Sequence, residues 1–138
     1  MDFTGKAIVY QNFAISTDGD DWYLINDFKV LVGTTYKLVC PEGMRTDGAS
    51  IPRFFWRVVG TPIASKYVKA AVIHDAGYSN KLEWAYKEDG EWVVEDHTRK
   101  EVDQLFLALL KDLQVSWWRR NAMYLAVRWF GARNWTVR

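Results

Sequence analysis

The sequence predicts an α+β fold: a small N-terminal antiparallel β-sheet followed by three helices, with a short hairpin between the first and second helix. Two patterns carry this expectation. The stretch 1–45 is built of short runs of β-branched and aromatic residues broken by turn residues, without helical spacing. Farther on, apolar residues recur three and four apart in three separate blocks. Composition agrees: 138 residues, 49% hydrophobic and 25% charged, suit one globular domain over 1–138, strand-rich over 1–45 and helical over 50–131.

Taken in order, "AIVYQNFAIS" and "DWYLINDFKVLVG" read as strands with "TDGDD" as the turn between them. "TTYKLVCPEG" is a further strand, stopped by Pro41 and Gly43. In "MRTDGASIPRFFWRVVGTP", Asp47-Gly48 marks a turn and Ser50-Ile51-Pro52 opens a short helix, with Phe54, Phe55 and Trp56 as an apolar anchor. A helix is expected from Pro62 to about Tyr78, with Ile63, Tyr67, Val68, Ala71, Val72 and Asp75 along one stripe and Gly77 weakening its end. "WAYKEDGEWVVE" alternates around Asp89-Gly90 and reads as the hairpin. A second helix, from about Thr98 to Leu113, has Val102, Leu105, Phe106, Leu109, Leu110 and Leu113 on its apolar stripe. Ser116 is placed to cap a third, which Gly131 stops.

Several function classes are disfavoured. Net charge is +1, so no global field draws the chain to nucleic acid, and no specific nucleic-acid binding is expected. "WWRRNAMYLAVRWFGARNWTVR" does hold five Arg and no acid, which leaves open a phosphate or partner patch beside the plainer reading of a helix face balanced by carboxylates elsewhere. Cys40 is the single cysteine, so an internal disulfide and a cysteine-rich zinc site are both excluded. "MDFTGKAIVYQNF" has no apolar h-region, so no signal peptide is expected, and no apolar run approaches the about 18 residues of a membrane span. Eight Trp can fill a core or dock Trp-rich surfaces on a neighbour or a second copy. There is no P-loop, Rossmann glycine pattern or G-x-S-x-G elbow.

The chemistry concentrates in "AAVIHDAGY". His74 and Asp75 lie about 100° apart on a helix, so they bond each other poorly yet can face one cleft. Asp103 sits beside Val102 on the second helix and leans toward the buried side, where a carboxylate needs a partner. An imidazole N–H is a natural one, and His74 held by Asp103 with its second nitrogen free is the base–orienter pair of acid–base catalysis. The same pair is equally an ordinary tie between helices, and Asp103 has Arg99 four residues earlier as a surface ion-pair alternative. Asp75 then remains for a cation or substrate, and Asp47 with Gly48 offers half a calcium site or a plain turn. A His-Asp metal phosphohydrolase needs an earlier histidine, and none precedes His74; zinc held by His74, His97 and a carboxylate has no diagnostic spacing.

"TDGASIPRFFWRVVG", "AAVIHDAGY", "VDQLF" and "MYLAVRWFG", in that order, resemble a small bacteriophage and prophage family known as domain of unknown function 1353. The resemblance covers roughly 45–131 and implies a phage setting: a tail, particle or assembly component, in the host cytoplasm or the virion, with other phage structural proteins as partners. More distantly, H-D-x-x-Y on one helix and D-x-x-F on the next are similar to the secreted and parvovirus-type calcium-dependent phospholipases. That resemblance implies His74 as the base that activates water, Asp103 orienting it and Tyr78 hydrogen-bonded to Asp103. It also implies Asp75 on calcium and phospholipid as substrate, although "TDGASIP" is not the glycine-rich calcium loop of those enzymes.

Overall fold

A computed structural model describes residues 3, 5–18, 21–46 and 67–136. Alternation sets the main sheet. In order along the chain come β1 (Ile8–Gln11), β2 (Ile15–Asp18), β3 (Asp21–Leu24), β4 (Phe28–Val32), β5 (Tyr36–Cys40) and β6 (Arg45–Thr46). On β4, Phe28, Val30 and Val32 point inward with no exposure, and Leu38 and Cys40 do the same on β5. Two later strands, β7 (Glu83–Glu88) and β8 (Glu91–Val94), join the same sheet, whose order is β1-β4-β5-β7-β8 with every neighbour antiparallel. The sheet is therefore not confined to the first third of the chain. Asp89 and Gly90, at φ of 51° and 82°, form the two-residue turn between β7 and β8, where both positions need the left-handed region.

A second, three-stranded sheet has the order β2-β3-β6. Trp22 and Leu24 of β3 enter the common core beside Phe28 and Met44. The sequence predicts a single sheet for these strands, and the structure has two. Their separation follows from β6, which pairs Thr46 with Trp22 and Arg45 with Tyr23 rather than continuing from β5.

Three helices follow in the described residues: α1 (Val68–Tyr78), α2 (Arg99–Asp112) and α3 (Trp117–Phe130), the last running into a 3-10 turn over Gly131–Asn134. The expected start of the first helix at Pro62, with Ile63, lies outside the described residues, as does the whole of 47–66. The expected stripe on α1 is not observed. Ala70 through His74 and Ala76 through Tyr78 are all buried, and Val68, Lys69 and Asp75 are the half-exposed positions. Small residues let this helix be surrounded on nearly all sides, with the sheet on one and α2 on another, so little solvent face is left to set against an apolar one.

On α2 the apolar stripe is as expected through Leu110, while Leu113 falls at the C-cap and is half-buried. Its N-terminus holds a capping box: Thr98 Oγ1 accepts from the Glu101 N–H (3.1 Å) and Glu101 Oε1 accepts from the Thr98 N–H (3.0 Å). Thr98→Ala is expected to lower unfolding free energy by about 1 kcal/mol in urea melts. Ser116 occupies the N-cap of α3, but its side chain bonds no backbone N–H there. Nearby, Asn121 donates to the Trp117 carbonyl and Arg120 to that of Val115.

Gly131 ends α3 with φ of −76°, so conformational freedom is not what it supplies. A Cβ there would stand 2.7 Å from the Tyr78 hydroxyl, and a Cβ at Gly77 would stand 2.7 Å from Val102 Cγ1. Both glycines are used for space. Gly77, expected only to weaken α1, leaves room there for Val102 of α2.

Candidate functional site

The spacing of four on α1 places His74 and Tyr78 on one face, one turn apart, toward α2. Across from them α2 supplies Asp103, which has no side-chain exposure although its neighbour Val102 is part of the core. His74 Nε2 lies 2.7 Å from Asp103 Oδ1, and the Tyr78 hydroxyl donates to the same oxygen at 2.6 Å. Arg128 of α3 donates to Oδ2 at 2.7 Å, and Arg99 stands 3.8 Å from that oxygen. One buried carboxylate thus gathers groups from all three helices.

Arg99 does more than pair with the carboxylate. It donates to the Tyr78 hydroxyl (3.2 Å), to the Val127 carbonyl (3.0 Å) and to the Arg128 carbonyl (3.3 Å). The Arg99–Asp103 pair expected at the surface is part-buried instead: Asp103 faces inward, and Arg99 reaches in over Tyr78 to the end of α3. Aromatic rings wall the site. His74 packs between Tyr78 and Phe106, with ring centroids 4.2 and 4.6 Å away, and Trp135 meets Tyr78 edge-on at 5.3 Å.

Two opposed influences act on Asp103. Burial pushes its carboxyl upward, but the hydrogen bonds from His74, Tyr78 and Arg128 oppose it, and the group is held below the usual carboxylate range. The site therefore contains a carboxylate at neutral pH. Burial, then the hydrogen bond to Asp103, raises Tyr78 well above the ordinary phenol value, which keeps it a neutral donor. A carboxylate offers only lone pairs, so His74 Nε2 carries the proton in that contact. Its other nitrogen, Nδ1, is buried and has no hydrogen-bond partner among the described residues.

Other sequence-derived candidates fall elsewhere. Asp75, one position on from His74, lies on the half-exposed side of α1, and its charge adds to burial in raising the Cys40 thiol on β5. Asp47 lies outside the described residues. Among the described residues no cluster of three or more His, Cys, Asp or Glu side chains could hold a metal ion. The zinc site considered from the sequence does not form among them: His97 stacks on Trp84 at 5.1 Å and meets Trp135 at 6.4 Å. A cleft of about 720 Å³ opens between the N-terminal segment, α2 and the start of α3, with Lys6, Lys111, Arg120 and Asp112 in its lining. None of its lining residues belongs to the His74 cluster.

The sequence nominates His74, Asp103 and Tyr78, whose side chains the structure brings together, and does not nominate Arg128. The arginine-rich stretch was its only signal, and nothing in that stretch marks which of the five turns inward.

Comparison with known proteins adds the family. The one described as "Protein of unknown function (DUF1353)" matches residues 22–127. The chain belongs to the DUF1353 family. The matched span takes in β3 through most of α3, with His74, Asp75, Tyr78, Arg99 and Asp103 inside it and Arg128 just beyond. Over 114 residues this DUF1353 chain is 32% identical to "Uncharacterized protein y4jT" of Sinorhizobium fredii (strain NBRC 101917 / NGR234). That match covers 83% of the chain but 30% of the relative, so the DUF1353 chain spans under a third of that curated protein's length. No solved structure matches it.

Proposed function

We propose that His74 and Asp103 form a hydrolytic base–orienter pair that activates water against a lipid ester. The observation that carries this reading is the division of labour on one imidazole: Nε2 is committed to Asp103, while Nδ1 is uncommitted among the described residues. A buried nitrogen without a partner costs about 1–3 kcal/mol, which a bound water recovers. In the step proposed, that water attacks the ester carbonyl carbon and gives its proton to Nδ1, and Asp103 stabilises the imidazolium so formed. The tetrahedral intermediate then expels the alkoxide, which takes the proton from Nδ1. Tyr78 and Arg128 hold Asp103 in place through both halves of the cycle. The choice of lipid ester is supported by the distant H-D-x-x-Y and D-x-x-F resemblance to calcium-dependent phospholipases. Calcium on Asp75 belongs to that same resemblance, while Asp47 is a calcium candidate only through its turn with Gly48. The described residues do not by themselves fit such an ion, and no step here depends on it.

The setting we propose is a bacteriophage or prophage one, as a particle or assembly component in the host cytoplasm or the virion. It is supported by the four sequence stretches that resemble phage proteins. One observation favours a second, noncatalytic reading within that setting: His74 and Asp103 are both closed off from solvent, and Asp103 bonds groups from three helices. On that reading the cluster is an architectural tie, and apolar surface docks on neighbouring subunits.

Fatty-acid release from phospholipid vesicles, with calcium and with chelator, separates the two. The wild type is expected to turn over, and His74→Gln to lose at least about a hundredfold in kcat. No release by the wild type under either condition removes the hydrolytic reading and leaves the tie. Release that appears only with calcium assigns the ion a part in it.

A further inference from the structure

We propose that the outward face of α3 docks on the surface of an anionic phospholipid bilayer. Met123, Ala126 and Val127 turn α3 toward the core. The opposite side also carries Asn121 and Arg128, both half-buried, but its exposed residues are apolar. Trp117, Trp118, Leu125 and Trp129 fall within about 120° of arc at 100° per residue, and they are 70%, 51%, 43% and 69% exposed. An exposed apolar arc this rich in Trp on a helix that already has a buried face marks an interaction surface, since isolated exposed residues do not line up.

Charge selects the occupant. Beyond Asp112 the chain carries five Arg and no acidic residue, so α3 and the turn after it bring positive charge and no negative charge of their own, although the net charge is only +1. Arg128 is engaged inward with Asp103, while Arg119 lies 5.4 Å over the Trp118 ring and Arg133 is exposed on the turn after α3. Indole rings settle at the headgroup level of a bilayer, and guanidinium groups beside them reach anionic phosphate. A second copy of the chain fits less well, because face-to-face pairing would set the same arginines of two molecules together with no acid to meet them. At 14 residues α3 is about 21 Å long, short of the about 30 Å of hydrocarbon, so the helix lies along the surface rather than crossing it. This inference stands on the α3 face alone and holds whether or not His74 is catalytic.

The test is cosedimentation with phosphatidylglycerol vesicles and with phosphatidylcholine vesicles. The wild type is expected to bind the first, more weakly as salt is raised, and to show Trp emission quenched by brominated phosphatidylglycerol, a readout that needs no variant. The triple variant Trp118→Ala/Leu125→Ala/Trp129→Ala is expected to partition at least about tenfold more weakly. These side chains are largely exposed, so its melting temperature should stay near that of the wild type, and His74→Gln should bind as the wild type does. Failure to bind phosphatidylglycerol vesicles overturns the proposal, as does equal binding by the triple variant. A self-association in size-exclusion runs that the triple variant abolishes, without vesicle binding, assigns the face to a second copy instead.

Discussion

Asp103→Ala is expected to destabilise the protein by about 3–5 kcal/mol, the cost of removing one member of a buried, hydrogen-bonded charge cluster. The carboxylate has no exposed side-chain surface, and its loss strands the His74 Nε2–H, the Tyr78 hydroxyl and the Arg128 guanidinium together. The arginines are partly solvated, so Arg128→Met alone should cost less, because the carboxylate keeps His74 and Tyr78. Applied to both residues, the two changes should cost less than their sum, since each removes the same contact. Acid gives an independent check. Asp103 titrates below the unfolded carboxylate value of about 3.9, so its contribution is complete above that value and is lost as pH falls through the lowered folded value. The groups facing it are His74, Tyr78, Arg99 and Arg128. Denaturant melts of wild type and Asp103→Ala should therefore differ most near neutral pH and converge below pH about 4. A gap that persists at low pH would mean that packing, not charge, is what Asp103 contributes.

Why most of this cluster was legible, and Arg128 was not, follows from where the information lies. His74 and Tyr78 are four apart on one helix, and Asp103 interrupts an apolar stripe where an unpaired carboxylate is costly, so local spacing and burial cost together nominate all three. The Arg128 contact is tertiary. It depends on the angle at which α3 crosses the other helices, which no spacing within α3 encodes. Thr98 with Glu101 was a readable capping box that the apolar pattern overshadowed, whereas Ser116 matched a cap by residue type without making the bond. The strand-like composition of 83–94 was readable, but its placement on β5 was not, because antiparallel pairing across a helix leaves no local mark. The stripe assigned to α1 failed because a helix buried on nearly all sides has no amphipathic period to find.

Gly77→Val carries the second large expected effect, about 3 kcal/mol of destabilisation, at the upper end of what overpacking costs. A Cβ alone already comes within 2.7 Å of Val102 Cγ1 and 3.0 Å of Cγ2, both on a residue with no solvent exposure. Val102 has little room to yield, since a β-branched side chain in a helix has one strongly preferred rotamer. Relief must then come from moving α1 away from α2. That movement draws His74 and Tyr78 off Asp103, so Gly77→Val should damage the site as well as the packing, although it touches none of the three. Replacing glycine in a helix interior removes a penalty of under about 1 kcal/mol, too little to compensate. The decisive experiment moves the bulk instead of adding it. Val102→Ala alone should cost about 1–2 kcal/mol by deleting buried methyl groups. Gly77→Val with Val102→Ala carries the valine across to the other helix, and chemical denaturation should find the pair about 1–2 kcal/mol more stable than the two single losses sum to. Strict additivity would show that α1 and α2 do not meet at Gly77, and the route from that glycine to His74 would go with it.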